Sequence, residues 1–534
     1  MSEVSAQSEI LIIGAGASGA VAARHFAAAG RKVLCLEQGQ WPDESKFVGR
    51  RPDWEVAAEP RWNPSPNARL AESDYPIDTS ECPLIPMMFN GVGGSTITWS
   101  ALWHRFTPSD FRVRSLDGVA SDWPLTYDEL APFYDRVEAD LGVSGLDGDP
   151  AYPSHAPYPL PAFPIGRAGA KFARAMHSLD WHWWPGSNAI PTRPYRGRNA
   201  CVRRNTCMLG CADGAKASTH LTHWPEAIEN GAQLVTGARV KEITVNDAGL
   251  ATGAVYVDRS GKLQRVSAGI VILCANGIGT PRLLLLSQSK RFPSGLANSS
   301  GLVGRGLMLH PTGSVAGIAD EPLQGWMGPQ GQIAYSMQFY NTDAARGFVR
   351  GSKWSLLSHG GPMSFAMSMG YGQKLHEAMA ASFGRMMTLL VFGEDLPEDE
   401  NRVVLSNELT DSDDLPAPKI IYRVGANTRK LLEFNIERAA QALAAAGVSN
   451  IATEAVNPFL GGAHLLGTAR MGGDPERSVV DKWGRCHDVP NLYIFDGSVF
   501  ATSAAVNPTA TICAVALRNA EHVLSERRNQ KVAA

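Results

Sequence analysis

The sequence predicts an α/β fold, α+β overall, with at least two domains. In the N-terminal stretch EILIIGAGASGAVAARHFAAAGRKVLCLEQG (residues 9–39), two apolar runs flank an alanine-rich segment, as two buried strands flank a helix. Another apolar run, NLYIF (residues 491–495), leads into a polar turn near the C-terminus. The chain of 534 residues also exceeds what one hydrophobic core holds.

Three glycines after the first apolar run have the spacing of a nucleotide-binding turn. Gly14, Gly16 and Gly19 form a G-x-G-x-x-G pattern directly after residues 10–13. In such a turn the first glycine permits the tight bend, the second lets backbone approach a pyrophosphate, and the third lets the helix pack on the strand. Phosphate then lies at the N-terminus of the helix, which Gly30 can end. The stretch predicts a Rossmann-like β-α-β unit.

The second predicted strand of this unit ends at a residue with a carboxylate side chain. Glu37 follows Gly14 by 23 residues and is placed to accept hydrogen bonds from ribose hydroxyls. Its negative charge would oppose the additional ribose phosphate of NADP. The sequence therefore predicts an ADP-ribose cofactor, either FAD or NAD.

Two further turns indicate that the nucleotide domain is assembled from discontinuous segments. The apolar run NLYIF ends at Asp496 and Gly497, where a carboxylate and backbone N–H groups can meet a polar cofactor. A third glycine-rich turn, NGVGGSTITW (residues 90–99), contains Gly93 and Gly94. A simple nicotinamide enzyme does not need these distant contributions.

The bulk composition excludes some partners. A formal net charge of -3 gives no electrostatic case for a nucleic acid partner, which attracts concentrated Lys and Arg. No run approaches the roughly 18 to 20 apolar residues of a membrane span, so no intrinsic span is expected. The N-terminal sequence lacks the pattern of a signal peptide. We expect a cytoplasmic location, or a periplasmic one reached by co-export with a partner.

The order of several motifs resembles the glucose-methanol-choline (GMC) family of FAD oxidoreductases over nearly the whole chain. These motifs are GAGASG, GVGGSTITW, DWPLTYDELAPFYDRVEADLGV, CANGIGTPRLLLLS, GLVGRGLMLHP, HLLGTARMGGDP and DVPNLYIFDGSVFATSAAVNPTATI. Within the family the chain is most similar to catalytic subunits of bacterial FAD-dependent sugar dehydrogenases, including glucose and glucoside 3-dehydrogenases. The resemblance implies an FAD-binding domain at 1–104, 205–310 and 451–534. It implies a substrate-binding domain with an antiparallel sheet at 105–204 and 311–450.

The resemblance also implies a catalytic pair. His464 matches the family's base for the substrate hydroxyl, and histidine suits this task because its ordinary pKa is about 6.5. Asn507 matches the group that holds the substrate oxygen, and its amide can donate without competing for the proton. The implied cofactor-binding residues are Gly14, Gly16, Gly19, Glu37, Gly93, Gly94, Ser95, Val240, Asp496, Gly497, Asn507 and Thr509.

Two positions depart from the family pattern. Similar sugar dehydrogenases place Asn immediately before the catalytic histidine, where this chain has Ala463, which argues against glucose itself as the substrate. Some relatives attach flavin covalently through a His at the position of Thr98, and threonine offers no such link. The resemblance therefore implies non-covalent FAD.

Three cysteines gather in NACVRRNTCMLGCADGAK (residues 199–216) with the spacing C-x5-C-x3-C. A zinc site would need a fourth ligand, such as His220 or His223. A disulfide would leave an odd thiol. An iron-sulfur cluster is also held by thiolates, and three ligands suit three irons.

Comparison with the family favours the cluster among these alternatives. Sugar dehydrogenases of the glucose dehydrogenase type carry the same run and are understood to bind a three-iron cluster, which implies a [3Fe-4S] cluster held by Cys201, Cys207 and Cys211. Val202 replaces an adjacent cysteine that is thought to tether a small subunit, which argues against a covalently attached partner. Related loops also occur in simple alcohol oxidases. The implied partners are a small subunit and a cytochrome-type electron acceptor.

The sequence therefore predicts an FAD-dependent dehydrogenase that oxidises a secondary hydroxyl of a sugar or glycoside to a ketone. The main alternative is an FAD-dependent oxidase or dehydrogenase of non-sugar alcohols, aromatic or long-chain. A non-catalytic flavoprotein and an NAD dehydrogenase are the remaining alternatives. Loss of turnover in His464→Ala would exclude the former, and a yellow protein the latter.

Overall fold

A computed structural model describes residues 7–57, 60–71, 74–367 and 370–532. In chain order its strands are β1 Gln7–Ile13, β2 Val33–Glu37, β3 Asp78–Glu81, β4 Ser144–Gly145, β5 Leu160–Pro161, β6 Trp184–Pro185, β7 Gln233–Thr236, β8 Arg239–Val245, β9 Ala251–Val257, β10 Leu263–Leu273, β11 Thr312–Ala319, β12 Gln332–Ser336, β13 Ser352–Leu357, β14 Met386–Gly393, β15 Arg402–Thr410, β16 Pro416–Ile421, β17 Val448–Glu454 and β18 Leu492–Ile494. Its α-helices are α1 Ala17–Ala28, α2 Trp54–Ala57, α3 Pro66–Arg69, α4 Val113–Asp117, α5 Tyr127–Leu141, α6 Gly166–Ser178, α7 Thr219–Thr222, α8 Trp224–Glu229, α9 Asn276–Leu286, α10 Pro362–Met367, α11 Gln373–Ser382, α12 Ala426–Ala445 and α13 Thr509–Val532.

A seven-stranded sheet forms the centre of the first part of the molecule. Its order is β7-β2-β1-β10-β9-β8, and β18 pairs with β10 beside this path. The strands β7, β2, β1, β10 and β18 run parallel, whereas β9 pairs antiparallel with both β10 and β8. The apolar runs of the sequence form its buried middle, so the predicted Rossmann-like β-α-β unit is confirmed.

Close packing explains two glycines of the first turn. Gly14 has a φ of 104°, and a Cβ there would lie 2.4 Å from the carbonyl oxygen of Cys274. A Cβ on Gly19 would lie 2.0 Å from the oxygen of Gly14. A side chain at either position would therefore push α1 away from the sheet.

A second sheet of six strands has the order β17-β11-β14-β13-β12-β6. All of its pairs are antiparallel, as predicted for the substrate side. The helix α12 packs on this sheet through an apolar face made of Leu431, Leu432, Ile436, Ala439, Ala442 and Leu443. Gly447, with a φ of 69°, follows the end of this helix.

The two sheets draw on different parts of the chain. The strands of the seven-stranded sheet come from residues 7–37, 233–273 and 492–494, while those of the six-stranded sheet come from 184–185 and 312–454. The strand β17 begins at Val448 and pairs with β11, across the boundary expected at residue 450. The exact division into domains stays a prediction.

Two smaller sheets complete the fold. One has the order β15-β16-β3 and the other contains β4 and β5. Among the helices of the described ranges, none combines the length and the apolar character needed to cross a membrane.

Candidate active site

A cavity of about 550 Å³ joins the carboxyl ends of the parallel strands to the six-stranded sheet. Its volume lies within the range of roughly 300–1,000 Å³ that is usual for ligand and cofactor pockets. The predicted site residues on its wall are Gly14, Gly16, Glu37, Gly94, Ser95, Val240, His464, Asp496, Gly497, Asn507 and Thr509. Residues from both ends of the chain therefore meet at one site, where α/β folds bind their ligands.

Two predicted glycines are not on this wall. Gly19 lies one turn into α1, where it packs against the Gly14 turn. Gly93 has a φ of 99° and shapes the second glycine-rich turn, because its carbonyl oxygen accepts from Thr96 Oγ1 at 2.5 Å. Both glycines therefore shape the turns behind the cavity wall, although neither lines it.

The two glycine-rich turns approach each other closely at the cavity. A Cβ on Gly94 would lie 2.8 Å from the Cα of Gly16. The helix α1 begins directly after Gly16, and no acidic residue occupies its first turn. A helix N-terminus with free backbone N–H groups attracts phosphate, and the missing side chains let phosphate come near. This part of the wall fits the pyrophosphate of a dinucleotide such as FAD.

The carboxylate of Glu37 is held by backbone N–H groups. Its Oε2 accepts from Ala15 N at 2.8 Å, and its Oε1 accepts from Gly39 N at 2.8 Å. Burial raises the pKa of Glu37, while these hydrogen bonds favour its charged form. Each carboxylate oxygen can accept a second hydrogen bond, so Glu37 retains acceptors for ribose hydroxyls.

Asp496 connects β18 to α9 at the cavity. Its Oδ1 accepts from Ser498 N at 2.9 Å, and its Oδ2 accepts from Asn276 N at 3.1 Å and from Thr280 Oγ1 at 2.6 Å. Burial raises the pKa of this carboxyl group. The hydrogen bonds fix the turn at Gly497, whose position the sequence predicted.

His464 and Asn507 lie side by side on the wall. The Nε2 atom of His464 lies 3.2 Å from the Nδ2 atom of Asn507, although 43 residues separate them. Both side chains are half-buried. The structure therefore brings together the two residues that the sequence predicted as a catalytic pair.

A second histidine determines which nitrogen of His464 is free. The Nε2 of His310 lies 2.7 Å from the carbonyl oxygen of Ala504, and a carbonyl can only accept, so this Nε2 carries the hydrogen. In neutral His310 the Nδ1 is then an acceptor, and it lies 2.5 Å from Nδ1 of His464. His464 must therefore donate from Nδ1, which leaves its Nε2 lone pair directed at Asn507 and the cavity.

The surroundings keep both histidines neutral. Burial lowers the pKa of His310 to about 4. Burial also lowers the pKa of His464 well below its ordinary value, and the neighbouring His310 and Lys353 lower it further. A neutral histidine with a free Nε2 can accept a proton at neutral pH.

The role of His310 was missed from the sequence. This residue ends the motif GLVGRGLMLHP, which was used for the family resemblance without assigning a function to its histidine. A histidine among apolar residues most often fills a core, and only its contact with His464, 154 residues away, shows what it does.

The three clustered cysteines lie outside the cavity wall, and all are free thiols. Burial raises the pKa of Cys201 to about 12 and also raises the pKa of Cys207. Ligands of one tetrahedral zinc, with Zn–S of about 2.3 Å, would place their sulfurs within about 4 Å of each other. In the described parts of the chain, these cysteines do not converge within 4.8 Å with one another or with His220 or His223. This arrangement does not favour a single zinc ion.

A buried lysine fastens the cysteine loop to the cavity. The Nζ atom of Lys216 donates to the carbonyl oxygens of Ile97 at 2.8 Å, Trp99 at 3.0 Å and Cys207 at 2.6 Å. Trp99 lies on the cavity wall, and so does Met208, the residue after Cys207. The loop is therefore in direct contact with the site where a flavin would bind.

Comparison with known proteins agrees with this arrangement. Two family models, each described as GMC oxidoreductase, match residues 187–312 and 397–516. The chain is 40% identical over 529 residues to 2-methyl-1,2-propanediol dehydrogenase of Mycolicibacterium austroafricanum, covering 97% of this chain and 95% of that protein. It is 30% identical over 557 residues to the fructose dehydrogenase large subunit of Gluconobacter japonicus, covering 98% and 99%.

A solved structure shows the same fold. Formate oxidase of Aspergillus oryzae superposes with a TM-score of 0.65 at 16% identity, over 98% of this chain and 99% of that one. Its structure was solved to study modification of FAD.

Proposed function

The chain belongs to the GMC oxidoreductase family, whose members act on CH–OH donors with FAD, and from this premise we propose that it is a dehydrogenase of a sugar, a glycoside or a smaller polyol. The observation that carries the proposal is the free Nε2 of His464 beside the amide of Asn507 on the cavity wall. Oxidation of an alcohol needs a base for the hydroxyl proton and a donor for its oxygen.

In this proposal His464 takes the proton. A substrate hydroxyl displaces the Asn507 amide from Nε2 of His464 and gives its proton to that atom. The Asn507 Nδ2 then donates to the substrate oxygen, where negative charge develops. The bound FAD supplies the hydride acceptor, as flavins do in alcohol oxidation. His310 keeps the proton on Nδ1 of His464, so the base stays available.

The proposed FAD-binding segments 1–104, 205–310 and 451–534 supply the residues that would hold the cofactor. The glycine turns at Gly16 and Gly94 receive the pyrophosphate, and Glu37 accepts from the ribose. The helix α13 begins at Thr509 on the same wall, so its N–H groups also face the cavity. Thr98 lines the cavity as well and offers no covalent link, which supports dissociable FAD.

We propose that electrons leave through a [3Fe-4S] cluster on Cys201, Cys207 and Cys211. An iron-sulfur cluster is held by cysteine thiolates, and three ligands suit a cluster of three irons. The contact of Met208 with the cavity gives a short route from flavin to loop. A small subunit and a cytochrome-type acceptor are the proposed partners, since one relative is itself a large subunit.

A short branched diol is a second candidate substrate, favoured by apolar side chains on the cavity wall. Leu357, Leu390, Phe392 and Leu460 line the cavity, and Ala463 replaces the asparagine of similar sugar dehydrogenases. These side chains accept methyl groups more readily than sugar hydroxyls. The similarity to 2-methyl-1,2-propanediol dehydrogenase is consistent with this reading.

The visible spectrum of the purified protein without oxygen tests the proposal. Methyl glucoside and 2-methyl-1,2-propanediol are added separately, and bleaching of the flavin bands identifies the class that is oxidised. Broad absorbance beneath the flavin bands supports the cluster. Slow reoxidation on admission of air indicates a dehydrogenase. A flavin that neither alcohol bleaches would contradict the proposed substrate classes.

A further inference from the structure

Lys353 is a buried lysine directly behind the proposed catalytic pair. It lies on β13, opposite Phe392 of β14, and its side chain has 0% exposure. Its Nζ lies 4.6 Å from the centre of the Phe392 ring, which lines the cavity. Burial alone shifts the pKa of Lys353, and no carboxylate among the described residues offsets it. Burying a lysine without such a partner costs free energy, so its position calls for a functional explanation.

The only side-chain oxygen bonded to Lys353 within the described chain belongs to Asn507. Nζ donates to Oδ1 of Asn507 at 2.6 Å. Burial lowers the pKa of Lys353, but both the amine and the ammonium form can donate this hydrogen bond. Lys353 does not itself line the cavity, so it can influence substrate through Asn507 and not by contact.

In the series of hydrogen bonds that begins at Lys353, each side chain donates to the next group. Lys353 donates to Asn507, Asn507 donates from Nδ2 toward Nε2 of His464, and His464 donates from Nδ1 to His310. His310 ends the chain on the carbonyl oxygen of Ala504. An amide turned by 180° would place its oxygen against the lone pair of His464 and its N–H₂ against Lys353. The lysine at one end and the histidine at the other therefore select one orientation of the amide.

We propose that Lys353 is a positioning residue, which holds the Asn507 amide with its N–H side toward His464 and the substrate oxygen. The inference rests on the proposed function, because it assigns Asn507 the substrate oxygen. Without Lys353 the amide turns more freely, and its N–H points at the developing charge for a smaller fraction of the time. The expected loss is in kcat, because this hydrogen bond strengthens only as charge develops.

A double-mutant cycle tests the proposal. Oxidation of 2-methyl-1,2-propanediol and of methyl glucoside, with a dye as acceptor, is compared for the wild-type protein, Lys353→Met, Asn507→Ala and the double variant. Lys353→Met lowers kcat about 10- to 100-fold and changes KM less. In the Asn507→Ala background the same change costs less than about twofold, since the lysine acts through the missing amide. Losses that multiply in the double variant overturn the proposal, as does a Lys353→Met protein with wild-type kcat.

Control variants separate positioning from folding. Lys171 is also buried but is paired with Asp320 and Glu321 on another part of the fold, and Lys171→Met is expected to keep kcat within about twofold. Lys353→Arg retains N–H donors and is expected to restore kcat to within about tenfold. If Lys353→Met does not retain FAD, Lys353→Leu, which also lacks a hydrogen-bond donor, replaces it in the same cycle under the same criterion.

A second readout needs no substrate. The N–H proton shared between His464 and His310 is expected far downfield in the proton NMR spectrum and would be identified by its loss in His310→Ala. Lys353→Met and Asn507→Ala each shift this resonance, and the double variant shifts it no further than Asn507→Ala does. A resonance unchanged in Lys353→Met overturns the proposal. Failure of the wild-type protein to oxidise either alcohol would count against the proposed function alone, because this resonance still decides the role of Lys353.

Discussion

The free lone pair of His464 follows from one backbone carbonyl. Ala504 O fixes the hydrogen on Nε2 of His310, and the short contact between the two Nδ1 atoms transmits that choice to His464. Each step uses only the fact that a carbonyl accepts and a neutral imidazole has one donor and one acceptor. The proposed base is therefore prepared before any substrate arrives.

Replacing His464 with alanine is expected to lower kcat by about 10²- to 10⁴-fold, the usual contribution of a positioned base. FAD content should remain that of the wild-type protein, because the proposed pyrophosphate and ribose contacts lie elsewhere on the wall. Single-turnover reduction of flavin by the alcohol, with FAD content as the control, measures the effect. Turnover at the wild-type rate would remove His464 from the mechanism.

Replacing His310 with alanine removes the acceptor that orients His464. We expect kcat to fall about 10- to 100-fold, less than the loss of the base itself, because His464 remains but no longer holds one tautomer. Steady-state kinetics measure the loss, and the melting temperature shows whether the fold is intact. A larger effect for His310→Ala than for His464→Ala would contradict this order of roles.

The low pKa of His464 predicts the pH dependence. The neutral form is active, so activity is present above the pKa and is lost as pH falls through it. Since burial, His310 and Lys353 all lower this pKa, the acid limb of kcat/KM should lie below pH 6.5. A pH profile of kcat/KM with the wild-type protein measures it. An acid limb above pH 7 would show that another group titrates.

At the scale of elements, the close approach of two turns creates the cofactor end of the cavity. The turn at Gly94 leads into a short 3₁₀ helix, Gly94–Ile97, and faces the N-terminus of α1. The predicted β-α-β unit supplies only half of this arrangement. The other half comes from a separate turn, whose backbone can come this near because Gly94 lacks a side chain.

Gly94→Ala is expected to lower the affinity for FAD strongly, because its Cβ would meet the Cα of Gly16 at 2.8 Å. Gly30→Ala is a matched control. Gly30 also has a positive φ, of 72°, but no atom lies within 4 Å of its Cβ position, so this change costs only about 1 kcal/mol of stability. Flavin content after gel filtration compares the two. Equal flavin loss in both variants would contradict the proposed role of the close approach.

At the scale of the whole molecule, the cysteine loop and the second sheet both contact the wall of the cavity. Lys216 joins the loop to the cavity wall, and β14 of the six-stranded sheet supplies Leu390 and Phe392 to the same cavity. In the proposed function, this arrangement lets substrate be oxidised at one face of the cavity while electrons leave at another.

The proposed cluster predicts a specific iron content. Cys207→Ser should lose iron and the broad absorbance while keeping FAD, because a thiolate ligand is removed outside the cavity wall. Cys82→Ser, at an isolated and half-buried cysteine, should keep both. Iron analysis together with flavin content measures the difference. Absence of iron from wild-type protein purified without oxygen would refute the cluster.

Local patterns made much of the fold predictable. The strand β1, the helix α1 and the strand β2 follow from an apolar run, three spaced glycines and a second apolar run, because each signal lies within a few residues of the element it specifies. The antiparallel second sheet and the pairing of His464 with Asn507 were expected from family resemblance. The structure contains this sheet, and it places the side chains of His464 and Asn507 on the cavity wall.

The sequence by itself determined the cofactor-binding unit, the family and the pair of residues beside the proposed reaction. Only the tertiary structure decided how that pair is oriented, because His310 and Lys353 each lie 154 residues from the side chain they contact. Lys353 stands in the buried strand SKWSLL, where no motif marks it. Hydrogen-bond direction depends on which groups face each other in the folded chain, and that is fixed by packing between distant segments, not by the order of residues along the chain.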